Sequence, residues 1–317
     1  IKVNYDYKAE DYVTLGEYKG IEVSVDTDAI ENNLINTRIQ NDLESNTTYV
    51  ETTRAAQADD KVTIDFKGSI GGEQVSGFSD NDYSIVLGKD TFTVEGFVDE
   101  LYGVKSGDVK VVTLTVPEDF SDAPEYAGRK IVFEITVKTV AQPNVPMITD
   151  TYAKEYYNYD TVAEYRESIK NEIQDTIDEK VTEAKKQAVL TKLQERCTIK
   201  GYPEDYLATK TSDYEQSIKF YSMMQGITVD EYCQKTFNMS FDDYVKKAVA
   251  QEMILQAIAE NISIKDYDYK GELPQFAKDR GYSDKDSFVE KYGKDKIVKN
   301  MIIQKAQDIV MDNAVYK

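Results

Sequence analysis

The sequence contains no histidine, and this limits the reactions that the protein could catalyse. Without imidazole, neither a Ser-His-Asp nor a Cys-His nucleophile can form, and a common metal ligand and physiological-pH base is missing. Any catalysis would therefore use carboxylates, lysines, hydroxyl groups or the shape of a cleft alone. Large amphipathic surface must come mainly from tyrosine, since the chain has 24 tyrosines and no tryptophan.

Acidic side chains that could bind a metal ion occur in two places, and neither has a complete ligand pattern. The stretch that starts at Asp266 begins like a calcium-binding EF-hand loop. Lys270 stands at its fifth ligand position and Ala277 at its twelfth, where a bidentate Glu is needed. The second place is a carboxylate cluster beside a turn, which is typical of a solvated loop: Glu118, Asp119, Asp122 and Glu125. The sequence has no Walker A or paired-cysteine motif either, so we expect no metal and no cofactor.

Charge and composition narrow the class of protein further. The 317 residues include 58 acidic and 38 basic side chains, a formal net charge of -20. This charge repels phosphate backbones and anionic lipid headgroups, which disfavours a primary role on nucleic acid or on a membrane surface. The length predicts two or three domains. Cys197 and Cys233 either pair in an oxidising compartment or are two small buried hydrophobic residues, and the sequence leaves both readings open.

Residues 58–141 carry the pattern of a small β-rich domain. Apolar residues alternate or cluster in four runs, which predict strands at residues 62–66, 84–87, 109–116 and 130–137. Glycines between residues 68 and 77 predict a turn-rich stretch after the first strand. Residues 95–103 have room for one short helix, with glycine near both ends. Four or five strands and one helix predict a small α+β domain.

Residues 1–57 predict one strand followed by one helix. The run over residues 20–25 alternates apolar and polar side chains, as a strand does. Asp26 or Asp28 then caps a helix that fades near residues 45–48. Its apolar positions are Ile30, Leu34 or Ile35, Ile39 and Leu43. We expect this N-terminal segment to pack on a helical body formed by the C-terminal part of the chain.

Residues 142–317 predict an all-α domain. From residue 160 to 199 the chain has no Gly or Pro, and apolar residues recur along one stripe, which predicts a single long helix of the kind found in arms. Gly201 and Pro203 end it. Further helices are predicted over residues 204–225, 228–237, 240–260, 273–280, 284–292 and 295–314. Their predicted N-caps are Thr228, Ser240 and Ser283, and their predicted ends are Gly226, Gly281 and Gly293.

Six segments of the middle region occur in a specific order: DKVTIDFKG at 60–68, YSIVLG at 83–88, VEGF at 94–97, GVKSGD at 103–108, VPEDF at 116–120 and AGRKIVFE at 127–134. Together they resemble the FKBP-type peptidyl-prolyl isomerase domain in the version found in trigger factor. The flanks resemble trigger factor too, because the helices from residue 160 onward are similar to its C-terminal chaperone domain. The resemblance implies a multidomain α+β protein with an FKBP-like antiparallel half-barrel, one short helix, and an all-α chaperone domain with a long arm helix.

This resemblance also implies a site. The residues that would line the cleft are Phe66, Val75, Tyr83, Val94, Phe97, Phe120 and Phe133. Phe97 would form the floor, the backbone N–H of Val94 would donate to a substrate carbonyl, and Ser76 would lie beside the pocket. Such a site needs no histidine, because rotation about an X-Pro bond passes through a twisted amide that an apolar cleft favours over the planar one. The alternative is that all seven are core residues.

The sequence departs from the family in three ways. Ser76 stands where many FKBP isomerases carry an Asp. The loop over residues 88–96 is one residue longer than the family norm, which would displace the Val94 donor. No ribosome-binding domain with its basic loop motif precedes Tyr5, so we expect no ribosome docking and predict a relative that works elsewhere.

The predicted function is peptidyl-prolyl cis-trans isomerisation and chaperone assistance to exported proteins. The first alternative is a catalytically silent holdase, which would bind Pro-containing segments without turnover. The second is a helical adaptor for one folded partner. Adaptable chaperone contacts would come from methionines on helices, for which the candidates are Met223, Met224, Met239 and Met253.

The expected partners are unfolded or partly folded polypeptides with X-Pro bonds, and no nucleic acid. The chain opens at Ile1 without a visible signal peptide, which predicts a trimmed product of the bacterial cell envelope or a secreted protein, with a cytoplasmic location as the alternative. A lipid tether upstream of Ile1 and a homodimer are both left open.

Overall fold

The structure of the protein, a computed structural model, describes residues 3–262 and 267–317. The chain divides into two compact units, one formed by Glu31–Gln174 and the other by Ile1–Ile30 together with Asp175–Lys317. The three domains expected from the sequence have other boundaries, at residues 57 and 141, and these stay a prediction. Asp266, where the EF-hand-like stretch begins, lies outside the described residues.

Strands and α-helices are numbered in chain order. The strands are β1 (Val13–Thr14), β2 (Glu22–Val23), β3 (Thr48–Glu51), β4 (Lys61–Ile70), β5 (Glu73–Val86), β6 (Val109–Thr115), β7 (Lys130–Asn144), β8 (Thr198–Ile199) and β9 (Val315–Tyr316). The helices are α1 (Thr27–Ser45), α2 (Asp150–Tyr157), α3 (Val162–Glu172), α4 (Gln174–Arg196), α5 (Glu204–Met224), α6 (Val229–Phe237), α7 (Phe241–Glu260), α8 (Tyr269–Lys278), α9 (Lys285–Tyr292) and α10 (Lys294–Asp312).

A five-stranded antiparallel sheet forms the core of the unit Glu31–Gln174. The order across the sheet is β3-β7-β4-β5, and β6 pairs with the N-terminal half of β7. β4 buries Val62, Ile64 and Phe66 at alternate positions, and β7 buries Ile131, Phe133 and Ile135 in the same way. The alternation that predicted these strands is therefore the alternation of core and outer face. The predicted α+β class, with an antiparallel sheet and a helical region, is confirmed.

The hairpin between β4 and β5 corrects the prediction of a turn-rich stretch. Only Gly71 and Gly72 form the turn, and both have positive φ, 62° and 87°, which glycine adopts without a Cβ clash. Gly68 lies inside β4, beside a shift in the pairing register. A Cβ atom there would come within 2.7 Å of the Phe78 carbonyl oxygen, so Gly68 permits a close approach of strands and does not mark a turn.

The short helix predicted over residues 95–103 is only one turn of 3-10 helix, Asp99–Leu101. The helix ends just before Gly103, whose N–H donates to the Ala56 carbonyl at 2.8 Å. Because that N–H bonds to the segment before β4, it does not continue the helical hydrogen-bond pattern. Leu101 is fully buried and anchors the turn on the core of the sheet.

Helices α1, α2 and α3 share a second, smaller core in the same unit. The buried residues are Ile35, Ile39, Leu43, Tyr152, Ala153, Tyr165 and Ile169. Asp26 is the residue that caps α1, because its Oδ1 accepts a hydrogen bond from the Ala29 N–H at 2.9 Å. The predicted bounds of this helix are confirmed.

The single helix predicted over residues 160–199 is wrong, since it is two helices, α3 and α4, interrupted at Ile173. Ile173 has φ −102° and ψ 14°, outside the α-helical region. The residues around it, Asn171, Asp175 and Thr176, are weak helix formers. The prediction considered only Gly and Pro as helix breakers and therefore missed the sum of several weak preferences.

The other unit is mainly helical, and its core contains buried side chains of α4, α7 and α10 together with those of α8 and α9. The N-terminal segment contributes Ala9, Val13 and Ile21 to this core. β1 pairs antiparallel with β8, and β2 pairs parallel with β9. The expectation of a purely α-helical C-terminal region is wrong to this extent, because strands of two residues are too short to show alternation.

Caps define most of these helix ends as predicted. Thr228 and Ser240 accept hydrogen bonds from the N–H groups three residues later, so both are N-caps. Ser283 is not a cap, because Asp284 accepts from the N–H groups of the two residues that follow Lys285. α8 begins at Tyr269, four residues before the predicted start at residue 273. The Asp268 carboxylate, just before Tyr269, is its N-cap.

Both cysteines are free thiols in the structure. Cys233 is buried and Cys197 is half-buried, and burial raises the pKa of each thiol above its usual value. They are therefore the two small hydrophobic residues of the alternative left open by the sequence. In residues 3–262 and 267–317, none of the helices has the length and apolar character that crossing a bilayer requires.

Candidate functional site

Three of the predicted aromatic residues meet in the core that packs on the sheet. Phe66 lies on β4 and Phe133 on β7, and the pairing of these strands brings them together. The Phe97 ring centroid lies 5.4 Å from that of Phe66 and 4.8 Å from that of Phe133, both in edge-to-face geometry. Phe97 and Phe133 have no exposed surface, so they can serve as a floor but offer little surface to a ligand as they stand.

Tyr83 and Phe120 occupy two sides of this cluster and are half-buried. The Tyr83 ring lies edge-on to Phe66, with the centroids 5.5 Å apart. Phe120 contacts the cluster through Phe78, whose ring centroid is 5.4 Å from Phe120 and 6.3 Å from Phe133. Phe78 was missed by the sequence analysis, although its place in the β5 segment between Val75 and Tyr83 was a usable signal.

Val75 and Ser76 lie near the start of β5. Val75 pairs with Gly68 and packs half-buried against the aromatic cluster. Ser76, the neighbouring residue, is exposed. The side chain at position 76 therefore faces water and supplies no carboxylate to the cleft, in contrast to the Asp found in many FKBP isomerases.

The Val94 amide is positioned by a tight turn over residues 94–97. The Phe97 N–H donates to the Val94 carbonyl at 3.2 Å, which fixes the floor residue to the donor residue. Among the described residues, the Val94 N–H has no hydrogen-bond partner. An unpaired and largely buried N–H is costly unless a ligand or water accepts from it, so this group can hold a substrate carbonyl.

A further aromatic residue, Phe92, lies at the centre of the cluster and was not predicted. Its ring stacks on Phe97 with a centroid distance of 3.9 Å and an interplanar angle of 21°. Its centroid also lies 5.5 Å from Phe66 and about as far from Tyr83 and Phe133, at 6.1 and 6.0 Å. The available signal was the loop of residues 88–96, which contains this phenylalanine and for which the resemblance implied one extra residue.

An ion pair holds the start of β4, from which Phe66 projects. Arg54 donates two hydrogen bonds to the carboxylate of the fully buried Asp60, at 2.6 and 2.8 Å. The Gln57 N–H donates a third at 3.0 Å. Burial by itself raises the pKa of Asp60, but the hydrogen bonds from Arg54 and Gln57 outweigh it and hold this pKa below its usual range. Asp60 is therefore a structural carboxylate.

The helical unit has an exposed apolar surface at the end of α5, here called the α5 patch. It consists of Phe220, Tyr221, Met223 and Met224, which are 64%, 55%, 69% and 73% exposed. Of the other predicted methionines, Met253 is buried in the core and Met239 is half-buried. Contiguous apolar side chains at such exposure are typical of a binding surface.

The same unit contains a cavity of about 700 Å³ among α4, α5 and α7. Apolar side chains form one part of its lining, namely Leu190, Phe237, Met239, Ala248 and Leu255. Charged and amide side chains form another part, namely Glu183, Lys186, Gln187, Lys247, Gln251, Glu252 and Gln307. The side-chain Nε2 of Gln251 is buried beside the cavity and, among the described residues, has no hydrogen-bond partner. A cavity with a mixed lining and an unpaired donor suits a peptide segment, which presents both side chains and a backbone carbonyl.

Two family models match the chain. The model described as FKBP-type peptidyl-prolyl cis-trans isomerase matches residues 52–138, and the one described as bacterial trigger factor protein C-terminus matches residues 161–312. Both ranges agree with the segments that suggested the same families in the sequence.

Curated proteins named Trigger factor match the chain over most of its length. The protein of Caldicellulosiruptor bescii is 30% identical over 98% of this chain and 74% of its own length. That of Lachnoclostridium phytofermentans is 31% identical over 95% of this chain and 72% of its own length. That of Limosilactobacillus reuteri is 30% identical over 95% and 71%.

A solved structure described as "Promiscuous Substrate Recognition in Folding and Assembly Activities of the Trigger Factor Chaperone" is also similar, with 22% identity and a TM-score of 0.42. The match covers 95% of this chain and 72% of the chain in the solved structure. A TM-score of 0.42 is too low to add support to the sequence matches. Those matches suffice: this chain belongs to the trigger factor family of folding chaperones with an FKBP-type peptidyl-prolyl cis-trans isomerase domain.

Proposed function

We propose that this protein isomerises X-Pro bonds of unfolded polypeptides in the aromatic cleft of Phe66, Tyr83, Phe97 and Phe133, and that it holds the same clients on its helical unit. The observation that carries the proposal is the meeting of these rings beside the unpaired Val94 N–H.

The cleft would act by solvation and by position. An X-Pro bond rotates over a barrier of about 18–20 kcal/mol, because the planar amide must lose its resonance. The twisted amide is less polar than the planar one, so aromatic walls that exclude water favour it. The Val94 N–H would hold the carbonyl next to the rotating bond, while the rings hold the proline.

Holding of clients is supported by the α5 patch and by the cavity beside Gln251. Methionine side chains bend to fit many apolar shapes, and aromatic side chains add contact area at a small entropy cost. These features favour clients that are exposed, apolar and variable. A folded partner would instead call for one complementary surface, so they give the adaptor alternative less support.

A peptide assay separates the isomerase from the holdase. We expect the wild type to accelerate cis-trans exchange in an Ala-Leu-Pro-Phe peptide, and the Phe97→Ala and Tyr83→Ala variants to lose most of this acceleration while remaining folded. Circular dichroism would check the fold. Equal activity in all three proteins would contradict the assignment of the cleft.

The silent-holdase alternative has one observation in its favour, the stacking of Phe92 on the floor residue Phe97. If this arrangement is permanent, the cleft cannot admit proline. The wild type would then fail in the peptide assay and still suppress the aggregation of an unfolded protein.

The compartment belongs to the proposal as well. The relatives are bacterial and named Trigger factor, and trigger factors are generally cytoplasmic, so the cytoplasmic alternative is consistent with the family. The extracytoplasmic location and exported clients stay predictions without such support. Detection of the native protein in membrane-free cytosol or in envelope fractions would decide between them. That the protein does not dock on the ribosome stays a prediction, and a lipid tether and a homodimer are both still left open.

A further inference from the structure

The position of Phe92 in the cleft calls for an explanation. Its ring lies face to face with Phe97 and is edge-on to Phe66, Tyr83 and Phe133. These are the rings that the proposed function assigns to the proline of a client. A flat apolar ring stacked on the floor at 3.9 Å leaves no space for a second ring in the same place.

The backbone on either side of Phe92 is fixed, whereas its own segment is not. Before it, the Asp90 N–H donates to the Val86 carbonyl at 2.9 Å, and the Asp90 carboxylate accepts from the Val86 N–H at 2.7 Å. After it, the Phe97 N–H donates to the Val94 carbonyl. For residues 91–93, no backbone hydrogen bond is found within the part of the chain that the structure describes.

Space for movement exists next to this segment. A cavity of about 310 Å³ is lined by the loop, Phe92 included, and by Val98, Asp99 and Tyr102. Phe66, Tyr83, Phe97 and Phe133 do not line it, whereas Val94, the donor residue of the cleft, does. The three residues 91–93 can therefore shift on fixed ends, toward a space beside the cleft, without breaking a backbone hydrogen bond.

We propose that Phe92 occupies the proline subsite in the free protein, and that a client must displace it to be isomerised. This inference rests on the proposed isomerase function. The apparent affinity for a client then equals its intrinsic affinity multiplied by the fraction of molecules in which the subsite is open.

The first test is kinetic and uses the Ala-Leu-Pro-Phe peptide with the wild type, Phe92→Ala and the matched control Thr93→Ala. Thr93 is exposed on the same three-residue segment. We expect Phe92→Ala to raise kcat/KM about tenfold, mainly through a lower KM, as for a site that is open in about a tenth of the molecules. Thr93→Ala should match the wild type. An unchanged or lower kcat/KM in Phe92→Ala would overturn the inference, because the ring would then be a wall of the productive cleft.

The second test does not depend on turnover. The chain has no tryptophan, so Phe92→Trp introduces a single fluorescent probe at the subsite. Saturating Ala-Leu-Pro-Phe should shift its emission to longer wavelength and increase quenching by acrylamide, whereas Ala-Leu-Ala-Phe should not. A tryptophan that stays buried at peptide saturation would overturn the inference whatever the activity. Displacement of the tryptophan without isomerisation would support the inference and count against the proposed turnover.

Discussion

At the scale of single residues, the pair Arg54–Asp60 makes the sharpest demand on stability. Asp60 is fully buried and holds three hydrogen bonds, two of them from Arg54. We expect Arg54→Ala to lower the free energy of unfolding, because it leaves a buried carboxylate without its charge partner. Arg54→Lys should lower the free energy of unfolding less than Arg54→Ala, because lysine keeps the positive charge although it cannot form the bidentate pair with the Asp60 carboxylate. Urea unfolding of the three proteins at neutral pH would measure both changes, and equal midpoints would show that the pair is not structural.

The same pair predicts a dependence on pH. The pKa of Asp60 is lower in the folded protein than the usual value of about 3.9 in an unfolded chain. Its contribution is therefore fully present above about pH 4 and is lost as the pH falls through the lower folded pKa. We expect the stability difference between the wild type and Asp60→Asn to shrink as the pH falls below about 4. A difference that stays constant as the pH is lowered from neutral to acid would contradict the assignment.

Most rings of the aromatic site can be predicted from the sequence, whereas Phe92 cannot. The rings on strands, Phe66, Tyr83 and Phe133, follow from segments whose order resembles the FKBP family. Phe92 lies on a loop, where neither alternation nor a family segment fixes the direction of a side chain. Only its contacts with the other rings, which are set by tertiary packing, identify its role.

At the scale of elements, the close approach of β4 and β5 gives a matched pair of glycine variants. A Cβ atom at Gly68 would meet the Phe78 carbonyl oxygen at 2.7 Å, whereas nothing lies within 4 Å of one at Gly77. We expect Gly68→Ala to lower the stability by about 1–3 kcal/mol, as overpacking does. Gly77→Ala should be neutral or stabilising by up to about 1 kcal/mol. Thermal unfolding of both variants would test the difference, and equal effects would contradict the strand geometry described here.

The end of α5 gives a prediction about binding without a change in folding. We expect the double variant Met223→Ser and Met224→Ser to suppress client aggregation roughly tenfold less effectively, because the burial of one methionine contributes about 1.5 kcal/mol or more. Its stability should stay within about 0.5 kcal/mol of the wild type, since both side chains are exposed. The matched control on the same helix is Gln216→Ser with Lys219→Ser, at exposed polar positions. Equal loss in the control would show that the α5 patch has no special role.

The elements differ in how far the sequence predicts them. Strands β4 and β7 follow from alternation, because one face of each is core and the other is not. β6 was also predicted, but its residues Val109 and Val111 are exposed, and it packs on the core only through the half-buried Val112 and Leu114. The break between α3 and α4 does not follow, because no single residue causes it. The glycines around residue 70 are a third case, because glycine has two roles there. Gly71 is in a turn, whereas Gly68 allows β4 and β5 to approach closely. The sequence does not distinguish these roles, because the role of Gly68 depends on its contact with the partner strand.

At the scale of the whole molecule, the proposed function assigns two kinds of surface to one kind of client. In this proposal the cleft of the sheet unit recognises one bond, and the exposed patch and the cavity of the helical unit recognise unfolded chain in general. We expect a short peptide to need only the cleft and an unfolded protein to engage both. The central claim is therefore that isomerisation of a protein client depends on the cleft for chemistry and on the helical unit for capture.

Refolding of a protein limited by a proline isomerisation tests this claim most directly. It would be followed with the wild type, the cleft variant Phe97→Ala, and the double variant of Met223 and Met224. We predict that the wild type accelerates refolding, that Phe97→Ala loses the acceleration but still suppresses aggregation, and that the double variant accelerates only at higher concentration while keeping full activity on the short peptide. Undiminished acceleration by a folded Phe97→Ala variant would contradict the account.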